Sequence, residues 1–285
     1  MPTPTATERD RLIGHAERYL EALVAHDPGR LTVTPGVRFT ENGQPLALGS
    51  GRWLTVTARE PGGQWFADPA AGQVAHWGGV HELGGPAIFA LRLKIDGEAI
   101  SEVETLVVRE GGALFDLATV CTPRPAFTEA VESSRRSSRA ELVLVANRYF
   151  EGIERDDGDV VHVADECLRI ENGVQTTRVT PRDPEAPWRA LGVAEQLTAG
   201  FFRYIVAIRD RRFPIVDEER GLVLCHVRFD HPGNIETAGG RVVFGYPNSA
   251  AIFEVFKIEG GRIEHVEAVG TIFPYRMDLG WADRS

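Results

Sequence analysis

The chain has few cysteines, no long apolar run and no excess of positive charge. Cys121, Cys167 and Cys225 are widely spaced and form no CxxC, and three thiols cannot all pair within one chain. That pattern excludes a disulfide framework and reads as small buried thiols in a reduced compartment. No apolar run approaches the ~20 residues that span a bilayer. The opening MPTPTATERDR lacks the apolar centre of a signal peptide. The expectation is a cytoplasmic protein with no membrane partner. A formal charge of -10 argues against nucleic acid, because phosphate binding needs a basic surface. Arg209-Asp210-Arg211-Arg212 is the local exception and reads as a solvated or ion-paired run. No G-x-S-x-G, P-loop or dinucleotide fingerprint occurs. His226, Asp230 and His231 match no strong metal spacing, so the expected chemistry uses no metal and no cofactor.

What the chain does contain is a long internal repeat. RYLEALVAHDPGRLTVTPGVRFTENG (Arg18 to Gly43) aligns without a gap with RYFEGIERDDGDVVHVADECLRIENG (Arg148 to Gly173), at an offset of 130 residues. The closing segments realign at an offset of 163, placing Lys94 to Glu104 against Lys257 to Glu267. Asp217-x-x-x-Gly221 echoes Asp68-x-x-x-Gly72. A period this long signals two copies of one domain rather than a solenoid. The boundaries read as 1–121 for the first, 122–137 for a Pro- and Ser/Arg-rich linker, and 138–285 for the second, which carries the main pocket.

Each copy opens with an amphipathic helix. Thr7 with Asp10, and Ser138 with Glu141, are capping signals. Apolar residues then recur at helical spacing, and Pro28-Gly29 ends the first helix. Alternating strands follow, with Asn-Gly and Asp-Gly turns between them. Helices followed by antiparallel strands predict an α+β fold, with helices on one face of a curved sheet. The second copy adds a proline-rich insertion at residues 178–192 around Trp188. It also has a helix from about Val193 to Arg203 continuing towards Ile208, and a strand from Phe213 to Val216. The segment from His231 to Asn248 is long and has no counterpart of equal length in the first copy.

The Tyr-Phe/Leu-Glu-x-Leu/Ile helix opening, the acidic turn and the closing I-x-x-V-E strand resemble the nuclear transport factor two-like superfamily. That superfamily includes ketosteroid isomerases and SnoaL-like polyketide cyclases. R-x-E-N-G-x-x-T-T (Arg169 to Thr177), F-P-x-V-D-E-E-R-G-L-V (Phe213 to Val223) and FDHPG (Phe229 to Gly233) resemble tandem members of it. Sphingomonad diarylpropane lyases, which release formaldehyde from lignin-derived diols without a cofactor, are a relative of the same superfamily. The resemblance implies two tandem cone-shaped α+β barrels, each a curved antiparallel sheet wrapped around N-terminal helices and an apolar pocket. It also implies a homodimer through the sheets.

A carboxylate enclosed by apolar walls has its pKa raised and can serve as a general acid or base. Strand alternation groups His226 with Leu222, Leu224, Arg228 and Asp230, and groups Ile263 with His265, Glu267 and Val269. His226 and Glu267 are therefore the candidate proton carriers, and Tyr149 the group that polarises an oxygen. Arg169, Glu171, Asn172, Trp188 and His265 are the candidate substrate contacts. Each has a plain structural reading beside it. His226 would be a hydrogen-bonded histidine between strands, Glu171-Asn172 a turn present in both copies, and Tyr149 a core ring with a partnered hydroxyl. The functional expectation is a cofactor-independent lyase, dehydratase or isomerase acting on a small apolar or aromatic molecule. The rivals are a non-catalytic binding or assembly module and an epoxide hydrolase of the same fold.

Overall fold

The computed structural model describes residues 7–111, 114–180, 187–237, 240–278 and 280–281. Residues 181–186 of the proline-rich insertion and 238–239 of the long segment after His231 lie outside the described residues.

The first half begins with α1 (Glu8–Val24). Its capping box forms as expected: Thr7 and Asp10 each satisfy the other's backbone N–H. Seven strands follow: β1 (Val33–Glu41), β2 (Gln44–Leu46), β3 (Val56–Arg59), β4 (Gln64–Asp68), β5 (Gln73–Glu82), β6 (Gly85–Asp96) and β7 (Ala99–Arg109). The connection carries two short helices, α2 (Leu117–Cys121) and α3 (Pro125–Thr128). The second half opens with α4 (Arg139–Arg155), capped by Ser138 and Glu141. It continues with β8 (Val163–Glu171), β9 (Val174–Gln175), α5 (Val193–Thr198), β10 (Ala207–Asp217), β11 (Leu222–His231), β12 (Asn248–Glu259) and β13 (Arg262–Pro274). Among the described residues, no helix is long and apolar enough to cross a membrane.

The sheets run β2-β1-β7-β6-β5-β3, with β4 also on β5, and β10-β11-β12-β13-β8-β9. In each half the strand after the first helix pairs in parallel with the last strand, β1 with β7 and β8 with β13. The architecture is α+β, two similar sheet units each carrying its own helix. Leu12, Ala16, Tyr19, Leu20 and Leu23 of α1 pack on the inner face of the first sheet. Leu142, Val145, Tyr149, Phe150 and Ile153 of α4 do the same in the second.

A third core lies between the units. Ala75, Trp77, Ile88, Ala90 and Leu106 of the first sheet pack with Leu222, Leu224, Phe253, Val255 and Val269 of the second. The sheets therefore meet by their outer faces. The contacts are reciprocal, as in a two-fold pairing. Arg9 reaches Asp217 at 2.6 Å, and Arg139, its counterpart 130 residues on, reaches both oxygens of Asp68 at 2.7 Å. The chain after each last strand crosses to the other half. Asp116 N donates to Asn172 O at 2.8 Å, while Trp281 Nε1 donates to Thr40 Oγ1 at 2.9 Å. The sheet face that the resemblance assigns to a homodimer is thus covered by the other half of the same chain.

Three local expectations are corrected. The helix at Val193 stops at Thr198, because Gly200 takes φ 69, a left-handed conformation that ends a helix. Ala207 onward is strand, so β10 begins six residues before Phe213. Ile263 and His265 do not share a face: a bulge at Glu264 shifts the alternation, since Lys257 pairs with His265 and Ile258 with Ile263. The first copy carries the same bulge at Ser101, between Ile100 and Glu102.

Candidate functional site

The expected site residues divide between the two faces of the second sheet. Val223, Cys225 and Val227 of β11 face the interior of the second unit, so His226 faces the seam between the sheets. His226 Nδ1 lies 2.5 Å from Glu104 Oε1 and 2.7 Å from Arg212 Nη2. Arg92 Nη2 reaches the other Glu104 oxygen at 3.1 Å. Burial works against the Glu104 charge, but His226, Arg212 and Arg92 overcome it and hold the carboxyl well below its usual range. Burial, aided by Arg212 and Arg92, lowers His226 despite the neighbouring Glu104. Glu267 also faces the seam, where Arg124 Nε is 3.1 Å and His265 Nε2 3.6 Å away. Glu104 and Glu267 occupy the same place in the two copies, so this pair of ion clusters belongs to the packing of the halves. The expectation that His226 and Glu267 sit inside the second cone is corrected here. Alternation grouped His226 with its true face-mates and, apart from Ile263, did the same for Glu267, but it assigned that face to the interior.

Tyr149, Arg169 and Glu171 do come together inside the second unit. Arg169 is fully buried, and its Nε donates to Thr176 Oγ1 at 3.1 Å. Its Nη1 donates to the Tyr149 hydroxyl at 3.4 Å and its Nη2 to Gln196 Oε1. Glu171 Oε2 is 3.4 Å from Arg169 Nε. Gln196 is held in turn, donating to the carbonyls of Thr176 at 2.8 Å and Trp188 at 2.9 Å. Burial opposes the charge of Arg169, while Tyr149, Glu171 and Glu254 overcome it and keep the guanidinium charged.

Glu254 on β12 completes this group and was not among the expected residues. Ala250, Phe256 and Ile258 share its face, which is the interior of the unit. Its Oε2 is buried and has no hydrogen-bond partner among the described residues. Burial raises its pKa to about 8; Glu171 adds to the rise, while Arg169 and Tyr149 pull against it. The Tyr149 hydroxyl accepts from Arg169, and its own O–H is directed to the Glu254 carboxyl. A sequence signal for Glu254 existed: it is the lone carboxylate in the run AAIFEVF, opposite Leu91 of the first copy at the 163-residue offset.

Of the remaining expected contacts, Asn172 has backbone partners and Trp188 an aromatic one. Asn172, with φ 48, binds Gly270 through both amide atoms, each at 2.9 Å. Asn42 makes half of this clamp, accepting from Val107 N at 2.8 Å. Trp188 stacks on Phe201 with centroids 3.9 Å apart. Phe201 leads through Phe202 and Tyr204 to His231 and Phe244, and Arg169 lies 4.8 Å over Phe202. Two surface cavities of about 420 and 340 Å³ lie elsewhere. One is between α1 and β3, the other beside the linker at Lys257 and His265. Among the described residues, no group of three or more His, Cys, Asp or Glu side chains is placed to hold a metal ion.

Residues 135–270 match the model of a family described as a domain of unknown function, DUF8021. No curated protein matches. Among solved structures, the chain is similar to the BvnE pinacolase from Penicillium brevicompactum, with 20% identity over 47% of this chain and 88% of that one, at a TM-score of 0.29. It is also similar to AusH from Aspergillus nidulans, with 15% identity over 52% of this chain and 99% of that one, at a TM-score of 0.30.

Proposed function

We propose that the second unit is a cofactor-independent acid–base catalyst of the nuclear transport factor two-like kind, a lyase, dehydratase or isomerase for a small apolar or aromatic substrate. The observation that carries this reading is Glu254: a buried carboxyl, partnerless at Oε2, protonated up to about pH 8 and set beside Tyr149 and Arg169. At neutral pH the resting group is an acid. The cycle would open with Glu254 donating to a substrate oxygen and close when it takes a proton back from carbon or water. Tyr149 and Arg169 would supply donors for charge developing on that oxygen. Glu171 would balance Arg169, and the rings from Trp188 to Phe244 would form the apolar approach. His226 and Glu267 would hold the halves together instead of moving protons.

The test is a panel of aryl ketones, β-hydroxy ketones and aryl diols, followed by mass spectrometry for isomerisation or loss of water or formaldehyde. Glu254→Gln should lower turnover by about 10²- to 10⁴-fold, with His226→Ala giving a loss of stability instead. Full turnover in a folded Glu254→Gln chain would sink the assignment. A binding or assembly module is the second reading. The edge-on packing of Tyr149 against Phe256 at 5.0 Å and Phe150 at 5.8 Å favours it, since a filled interior needs no substrate. It predicts no turnover on any member of the panel.

A further inference from the structure

Arg228 stands on the outer face of β11, between His226 and Asp230. Its side chain is only 7% exposed. Its Nη2 donates to Asp210, but Nε and Nη1 are buried and have no acceptor among the described residues. A guanidinium is always charged and has five N–H donors. Buried donors of a charged group without acceptors are costly, and in a native structure they point to a bound water or ion. Asp210, the one carboxylate that Arg228 pairs with, is itself 44% exposed.

Among the described residues, the surroundings do not supply a second acceptor. Asp230 is engaged by Arg209 at 2.5 and 2.8 Å and by Ser249 Oγ at 2.6 Å, with Arg276 Nε at 3.8 Å. Three arginines thus face two aspartates, a local positive surplus in a chain of net charge -10. The feature is confined to the second sheet: strand register places Gly79 where Arg228 stands, Gly79 opposite Ile88 and Arg228 opposite Ala251.

We propose that Arg228 forms a binding site for one small anion at the rim of the seam between the sheets. Nε and Nη1 head different edges of the guanidinium, so a single compact acceptor (a halide, or one oxygen of a carboxylate or phosphate) serves one of them, and water serves the other. The site lies on the opposite face of the sheet from Glu254 and stands apart from the proposed catalysis.

The experiment is thermal unfolding of the full chain at constant ionic strength, replacing sodium methanesulfonate stepwise by chloride, acetate or phosphate. A saturable rise in the midpoint is expected, and the arm that responds identifies the anion. Asp210→Asn removes the competing carboxylate and should lower the half-saturating concentration about threefold. Asp210 has φ 51, which asparagine tolerates, so this variant keeps its backbone. Arg228→Met should abolish the response; should that chain fail to fold, Asp210→Asn decides alone. An equal response to every salt, or no change in Asp210→Asn, would overturn the proposal and leave these nitrogens merely hydrated.

Discussion

The two units share a backbone plan and differ at two interior positions beside a shared tyrosine. Strand register makes the match independent of the alignment: Leu91 pairs with Thr105 as Glu254 pairs with Ala268, and Phe39 pairs with Val103 as Arg169 pairs with Val266. The tyrosine is kept, Tyr19 in one and Tyr149 in the other, both buried. Around Tyr19 the interior is apolar, with Trp53 edge-on at 5.3 Å and Phe39 and Leu91 in the core. Around Tyr149, the last two become Arg169 and Glu254. Two substitutions on one scaffold thus place a buried carboxyl and a buried guanidinium where the first unit has a packed apolar core. The difference teaches that the fold tolerates either filling, and that the proposed chemistry would rest on the exchange of Phe39 and Leu91 for Arg169 and Glu254.

The sharpest way to break this comparison is to neutralise the acid. Glu254→Gln should remove about 10²- to 10⁴-fold of any turnover, while Leu93→Ala in the first unit should affect only stability; steady-state kinetics on an identified substrate decides. Next is the seam. Glu104→Gln leaves Arg92 and Arg212 facing each other without a full counter-charge and should cost about 3–5 kcal/mol. Glu267→Gln faces only Arg124 and His265 and should cost about 1–2 kcal/mol. Urea denaturation of both variants would show the ordering, and equal losses would contradict the unequal seam.

The third test is pH. Glu254 keeps its proton in the folded chain up to about pH 8, against 4.5 for an unperturbed glutamate. The folded state binds the extra proton across that window, so stability from this group falls as pH rises from about 4.5 to about 8. Glu254→Gln should flatten that part of the profile, and Leu91→Gln should not. The smallest difference is expected at the turns. Asn42→Ala and Asn172→Ala should each cost about 1–2 kcal/mol, with Asn172 the larger because it uses both amide atoms.

Much of the scaffold was legible in the chain alone. Both helix caps and the Asn-Gly turns depend on neighbours close in sequence, and these form as expected. The site was legible only in part. Tyr149, Arg169 and Glu171 flank the repeated helix and turn, so the repeat drew attention to them. Glu254 lies in an apolar strand where a single carboxylate gives little signal, and it gains meaning only from Arg169 on a neighbouring element. His226 and Glu267 carried a stronger local signal and lie on the other face.

The chain by itself determined the duplication, the capped helices and the sorting of strand residues into two sets. It could not say which set faces inward, because both faces of each sheet are buried here and both read as apolar. That choice came from the packing of one sheet against the other, which turned His226 and Glu267 into seam residues and left Glu254 enclosed. The bulge at Glu264 shows the same limit at short range: one extra residue reverses the alternation, and only the paired strand fixes where it falls.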